Sequence, residues 1–311
     1  MSATDRPAVR IGGFAVGLVA VFALALGAGS LWGPTVAEAE PDEEMGHGGM
    51  AEAGAATDAA GEHDESSAGH LPGGLMRSQD GYTLELAART AEPGRDVPLA
   101  STVTGPDGHV LDTESAYDVE HDKRLHLIVV RRDLTGFQHV HPELGGDGRW
   151  TTDVDLEPGT WRVFADFKAA GGPALTLGTD LTVTGEVSDV RPVGDDDRSD
   201  SVDGYDVELE GDLVAGTGSD LTLTVSRDGE PVTDLEPYLG AFGHLVALRE
   251  GDLAYLHVHP HEEAQPGETG GPSIDFTAEV PSAGAYRLFL DFKAGGKVRT
   301  ATFDLTAVDH D

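Results

Sequence analysis

Seven of the 13 histidines in this chain, counting His261, fall in or directly beside two windows built on one template. In the first, Leu125-His126-Leu127 is followed by Phe137-Gln138-His139-Val140-His141-Pro142. In the second, Gly243-His244-Leu245 is followed by Tyr255-Leu256-His257-Val258-His259-Pro260. Each time the second histidine comes 13 residues after the first and the third follows at i+2. Three imidazoles gathered on one face can share a divalent ion at metal–nitrogen distances of about 2.0–2.1 Å. The chemistry to expect is metal binding at His126, His139 and His141, and again at His244, His257 and His259. A lone strand histidine more often lines a solvated face or caps a core; three at one spacing, found twice, argue for ligation.

That chemistry needs a particular backbone. Residues i and i+2 of a strand point to one side, which pairs His139 with His141 and His257 with His259. Between the first and second histidines each window reads as a hairpin. Glu250-Gly251-Asp252-Leu253 lies between apolar runs, and Gly-Asp is a favoured two-residue loop. A turn centred there sets His244 opposite His259, with His257 as its diagonal neighbour. A turn centred on Asp133-Leu134 sets His126 opposite His141. Opposed Cβ atoms are about 4.5–5.5 Å apart and diagonal ones roughly 7–8 Å, within imidazole reach of one ion. The arrangement resembles, over three residues only, the zinc site of α-type carbonic anhydrases. Glu143 and His261 extend the two windows by two positions and are minor candidates, since each follows a proline where strand geometry breaks. His109, His121 and His310 have no such company and read as surface residues.

The rest of the chain reads as strands and tethers. Tyr82–Leu86 alternates, Val97–Val103 follows, and Pro106-Asp107-Gly108 is a turn. The histidine hairpin comes next, then Trp150–Val154, Trp161–Lys168 and Leu175–Thr184. The pattern restarts at Tyr205: Tyr205–Leu209 answers Tyr82–Leu86, Leu221–Val225 answers Val97–Val103, and Tyr286–Lys293 answers Trp161–Lys168. The predicted fold is all-β, two tandem Ig-like β-sandwiches at residues 76–184 and 205–308. Residues 185–204 read as a linker, with Asp195–Ser201 too polar to pack. Both repeats carry Phe-x-Asp-Phe-Lys, which puts Phe164 and Asp166 on one face, and Phe289 and Asp291 on another. Asp166 and Asp291 can accept a hydrogen bond from a ligand imidazole and so orient it; the competing reading is an ion pair with a nearby Lys or Arg. Trp161 and Tyr286 sit at matching core positions.

Ahead of the repeats, residues 11–32 run without a charge between Arg6 and Arg10 on one side and Glu38, Glu40 and Asp42 on the other. Such a length spans a bilayer, and the arginines put the 1–10 tail in the cytoplasm and the repeats outside. A signal peptide cleaved after Ala39 is the competitor, and it would make the chain secreted. Residues 33–75 are rich in Ala, Gly, Glu, Asp and His and read as a disordered tether. Within it Met45, His47 and Met50 combine thioether and imidazole donors that suit copper. The net charge of -36, from 56 acidic and 20 basic side chains, excludes nucleic acid and anionic lipid as partners and concentrates cations near the surface. No cysteine is present, so a copper or zinc ion must be held by imidazole, carboxylate or thioether.

Four stretches carry a family resemblance: His126–Val130, Gly136–Pro142, Tyr238–His244 and Tyr255–Pro260. With them the chain resembles a group of bacterial, mostly actinobacterial, exported proteins described as heavy-metal-binding or YtkA-like, over roughly residues 76–308. The resemblance implies a cell-envelope location and metal handling, often of copper. The expected function is non-enzymatic: a membrane-anchored, extracytoplasmic copper or zinc binder with one three-histidine site per sandwich, serving metal tolerance, buffering, or delivery to an envelope transport or copper-acceptor protein. Two alternatives stand beside it. One is a metal-independent envelope interaction module, as fold analogy suggests. The other is a zinc hydratase or hydrolase, for which a general base and a substrate pocket are not recognisable in the sequence.

Overall fold

The computed structural model describes residues 72–187, 193–194 and 196–310, with the backbone alone at His257 and His259. The first repeat comprises β1 (Ser78–Gln79), β2 (Tyr82–Leu86), β3 (Thr90–Ala91), β4 (Gly94–Thr104), β5 (His126–Arg131), β6 (Gln138–Val140), β7 (Glu143–Leu144), β8 (Trp150–Leu156), β9 (Gly159–Lys168) and β10 (Ala174–Val183). The second comprises β11 (Ser199–Val202), β12 (Tyr205–Glu210), β13 (Gly218–Arg227), β14 (Glu230–Pro231), β15 (Gly243–Arg249), β16 (Tyr255–Pro260), β17 (Ser273–Glu279), β18 (Gly284–Ala294) and β19 (Lys297–Ala307). Among the described residues there is no α-helix. The chain is a tandem of Ig-like β-sandwiches, as its patterning predicts. The predicted membrane segment, residues 11–32, and the tether, residues 33–75 as far as Leu71, lie outside the described residues. Among those described, no helix is long and apolar enough to cross a membrane.

In the first repeat a sheet ordered β1-β2-β4-β8-β7 faces one ordered β3-β10-β9-β5-β6. Leu84, Val103 and Trp150 from one meet Leu127, Val163 and Leu177 from the other. In the second repeat β16 pairs with β15 through Leu245–Val258 and then with β17 through His259–Thr277, so the two layers share a strand. Val207, Leu223 and Phe276 pack there against Leu245, Leu288 and Phe303. Most outer strands alternate: β12 and β17 bury every second residue, the pattern of a sheet with one wet face. Trp161 and Tyr286 are buried, and each is tied by its polar atom to the carbonyl four residues earlier, Glu157 and Ser282.

Two strands break the alternation. All six residues of β5 are buried, as are the first six of β15. Leu127 and Val129 enter the first core and Leu245 and Ala247 the second. Ile128 and Val130 meet Val246 and Leu248 in a third apolar cluster, together with Phe164, Leu253, Tyr255 and Phe289. The histidine-bearing sheets therefore lie against each other across a seam between the repeats. Phe137 stacks on Phe289 at 4.0 Å and 7°, and Tyr255 lies 5.2 Å from Phe164. These are equivalent pairs exchanged between repeats. Tyr255 N–H also donates to Gly73 O, while Gly74 N–H donates to Thr176 O, which stitches the segment before β1 to both halves.

The hairpin registers agree with the expectation. Leu127 pairs with Val140 and Ile128 with His139; Leu245 pairs with Val258 and Val246 with His257. The turns are longer than the two residues expected. Arg249 N–H bonds Ala254 O and Leu253 N–H bonds Arg249 O, a four-residue loop on the same centre. In the first copy Arg131 N–H bonds Thr135 O, and Gly136 at φ +66° absorbs the odd residue. A side chain there would run into Trp161.

One expectation is corrected. The 185–204 linker contains β11, so the ordered second repeat begins before Tyr205, and the acidic stretch packs. Asp196 accepts Thr306 N–H at 2.9 Å and Asp200 accepts Thr302 N–H at 2.8 Å, while Asp197 N–H bonds Asp304 O. Strand β19 is a sheet edge, and an unpaired edge N–H needs an acceptor. Polarity here meets a row of backbone donors.

The seam generates a stability prediction. Phe289 is buried on Phe137, so Phe289→Ala should destabilise the protein by about 3–5 kcal/mol in urea unfolding. A loss below about 1 kcal/mol, the range of surface substitutions, would show that the seam contributes little.

Candidate metal centre

The site is built from two matching turns. Glu120 and Lys123 exchange backbone hydrogen bonds, as do Tyr238 and Ala241. The central residues are all left-handed: His121 and Asp122 at φ +48° and +60°, Leu239 and Gly240 at +54° and +78°. Each turn delivers a carbonyl to the histidine six residues on. His126 Nε2–H donates to Glu120 O at 3.1 Å and His244 Nε2–H to Tyr238 O at 2.8 Å. A carbonyl can only accept, so both rings carry their proton on Nε2 and keep the lone pair on Nδ1.

His126 stands on the seam face of β5, with His139 and His141 on β6 and just beyond it. His126 Nδ1 lies 3.1 Å from His139 Nε2 and 3.2 Å from His141 Nε2. The three ligand atoms fall within 4.8 Å of one another. Two nitrogens on a tetrahedral ion, each bonded at about 2.0–2.1 Å, are separated by about 3.3 Å. His126 Nδ1 stands close to that spacing from both of its neighbours.

The partner that orients His139 comes from the other repeat. His139 Nδ1–H donates to Asp291 Oδ2 at 2.9 Å, with both side chains almost fully buried. Thr300 Oγ1 holds the other carboxylate oxygen at 2.6 Å. His139 therefore presents its Nε2 lone pair to His126 Nδ1, also a lone pair. Two lone pairs at 3.1 Å repel unless a proton or cation lies between them, and a cation satisfies all three rings at once. Asp166, directly across from His126 on β9, accepts hydrogen bonds from Thr176 Oγ1 at 2.9 Å and Tyr255 OH at 3.3 Å. Tyr255 belongs to the second repeat, so each Asp of the Phe-x-Asp-Phe-Lys motif is used across the seam.

Burial sets the protonation state. Loss of solvent pushes His141 down to about 2, with the neighbouring His139 and His126, Lys123 and His244 adding in the same direction. The tyrosines around the seam move the other way: burial raises Tyr238 to about 12, and raises Tyr255, beside Asp166, well above its ordinary range.

The structure sorts the expected ligands. His126, His139 and His141 converge. His244 sits on the seam face of β15, opposite Asp291, with its ring 6.4 Å from that of His139. His126, His139 and His244 therefore meet at the seam between the repeats. The registers carry His257 and His259 on β16 as expected. Glu143 is exposed on β7, in the sheet opposite β5, and the His261 ring bonds Thr277 Oγ1 at 2.6 Å; neither joins the triad. Met45, His47 and Met50 lie outside the described residues. His109 and His310 are exposed, as expected. His121 corrects the expectation of a surface residue: its ring lies 6.2 Å from His126 and 5.4 Å from His244. Its position five residues before His126 was visible, but the left-handed turn that folds it back was not.

Two outcomes follow. Asp291→Asn should weaken metal binding about 10–100-fold, the usual cost of losing a partner that orients a ligand histidine, as read by competition with a chelator. An unchanged affinity would remove Asp291 from the site. The metal-free protein should also lose stability in acid. His141 resists protonation when folded, whereas an unfolded histidine takes a proton near 6.5, so its contribution is complete above about 6.5 and falls as pH drops toward 2. Urea midpoints in chelator should decline from about pH 7.5 to about pH 5, and less steeply in His141→Gln. An identical slope in that variant would contradict the assignment.

Comparison with known proteins adds a family. None of the curated proteins matches the sequence. Among solved structures, the chain is similar to the Escherichia coli adhesin FdeC at 18% identity and TM-score 0.24, over 74% of this chain and 65% of that one. It is similar to red sea bream transglutaminase at 13% identity and TM-score 0.23, over 73% and 31%, and to the D0-D1 domain of intimin at 12% and 0.20, over 72% and 94%. The chain thus spans about two thirds of the FdeC chain and about a third of the transglutaminase. The duplicated fold has a direct counterpart in sequence: residues 77–185 and 200–309 each match the Domain of unknown function (DUF8832), and the chain belongs to that family.

Proposed function

We propose that this chain is a membrane-anchored, extracytoplasmic protein that binds copper or zinc without catalysing a reaction. The observation that carries the reading is the set of lone pairs of His126, His139 and His141, two of them fixed by acceptors on the far side of their rings. Such an arrangement is costly when empty and favourable around a cation. The acidic surface, at a net charge of -36, raises the local cation concentration. The resemblance to exported heavy-metal-binding proteins supports an envelope location, as does the apolar run at residues 11–32. Binding is favoured over hydratase or hydrolase chemistry because a catalytic zinc keeps an open position facing substrate, whereas the His139 side chain is only 2% exposed. Tolerance, buffering or delivery to an envelope transport or copper-acceptor protein are the roles that fit.

The test is titration of the purified full-length chain with Zn(II) and Cu(II). The double variant His139→Ala/His141→Ala should bind one ion fewer than the native protein. Equal stoichiometry in the two would sink the reading and leave a metal-independent interaction module.

A further inference from the structure

We propose that His121 and His244 form a second, outer cation seat through which metal reaches and leaves the His126–His139–His141 cluster. The inference deepens the metal-binding reading and rests on it. The 120–123 and 238–241 turns are equivalent in backbone, in hydrogen bonding and in the carbonyl each offers to the next histidine. Their residues differ at all four positions, and the first central one is His121 in one and Leu239 in the other. The turn itself has no need of a histidine, since Leu239 adopts the same conformation.

What His121 adds is reach. The three triad rings stand 4.8, 5.0 and 5.3 Å apart, centroid to centroid. His121 and His244 stand 5.4 Å apart, nearly perpendicular, the same spacing as rings that can share one ion. Tyr238 O accepts the His244 Nε2–H, so Nδ1 carries the lone pair of that ring. The His244 ring is 6.4 Å from His139, and His121 is 6.2 Å from His126, so the outer seat adjoins the inner one.

His121 also has the position of an entry ligand. His126 and His244 are 3% and 1% exposed, whereas half-buried His121 lines a cavity of about 430 Å³ together with Asp122, Glu263 and Leu239. Two carboxylates there attract a hydrated cation. An ion entering the buried triad must shed its water, and exchanging water for imidazole one ligand at a time avoids a bare intermediate. His121 and His244 supply that intermediate coordination.

The test uses the full-length chain, Zn(II) and a chromogenic chelator in stopped flow. His121→Leu imports the residue that the equivalent turn already carries, and His121→Asn gives a second variant suited to a left-handed position. In whichever variant keeps the native circular dichroism, capture and release should each slow about tenfold or more, with Kd within about threefold of native. Rates within about twofold of native would overturn the outer seat. So would a Kd weakened about tenfold with capture unchanged, which would make His121 an ordinary equilibrium ligand. If the native chain binds no Zn(II), both this inference and the metal reading fail; if it binds and exchange ignores His121, only the outer seat fails.

Discussion

The apolar seam between the repeats is the constraint from which the site follows. Ile128, Val130 and Phe164 on one side and Val246, Leu248 and Phe289 on the other remove two sheet faces from water. Because side chains alternate along a strand, the residues that share those faces are carried in with them. His126 rides with Ile128 and Val130, and His244 with Val246 and Leu248. Imidazoles buried in this way must find partners, and they find them in turn carbonyls, in each other and in a carboxylate from the opposite repeat. Hydrophobic burial thus delivers the polar cluster to a place where its lone pairs are withdrawn from water.

Duplication explains the economy of the arrangement. Each repeat supplies a turn carbonyl to its own first histidine and an Asp to the other repeat. The symmetry is approximate. His139 meets Asp291, whereas Asp166 takes Thr176 and Tyr255. His121 answers Leu239. In the first repeat the strand breaks at His141-Pro142 before β7 pairs with β8, whereas in the second β16 runs on without a break to pair β17. Where the copies agree, the fold is being maintained; where they differ, the two halves of the seam are free to take different parts around one cluster.

The ends of the seam show how charge is placed in a chain so acidic. Arg287 is buried and held by both oxygens of Asp304 at 2.6 and 2.7 Å, and its equivalent Arg162 meets Asp180 at 3.0 Å and the carbonyls of Gly74 and Leu75. These guanidinium groups sit on the same strands as Asp291 and Asp166, four residues earlier. Each seam-facing strand thus carries an Arg, a Phe and an Asp in alternation, with the cation at one end and the histidine cluster at the other.

Local order was legible in the sequence because it depends on neighbours in the chain. The two-residue period of β2 and β12, the hairpin centres and the pairing of Ile128 with His139 all follow from alternation and turn position. The three-histidine trio follows too, since register alone brings His126 beside His139 and His141. The unbroken apolar run of Leu127–Val130 even signals burial on both faces, although it does not say what covers the second one. That answer belongs to the tertiary structure. Phe-x-Asp-Phe-Lys occurs in both repeats, and nothing in the motif tells that Asp291 serves a histidine 152 residues away. His121 looked like a surface residue because its left-handed turn is set by backbone geometry and not by residue type. The acidic stretch before β12 looked unable to pack because its acceptors answer donors on β19, about 100 residues later. Sequence determines which residues share a strand face; only the packing of one sheet on another decides which face they meet.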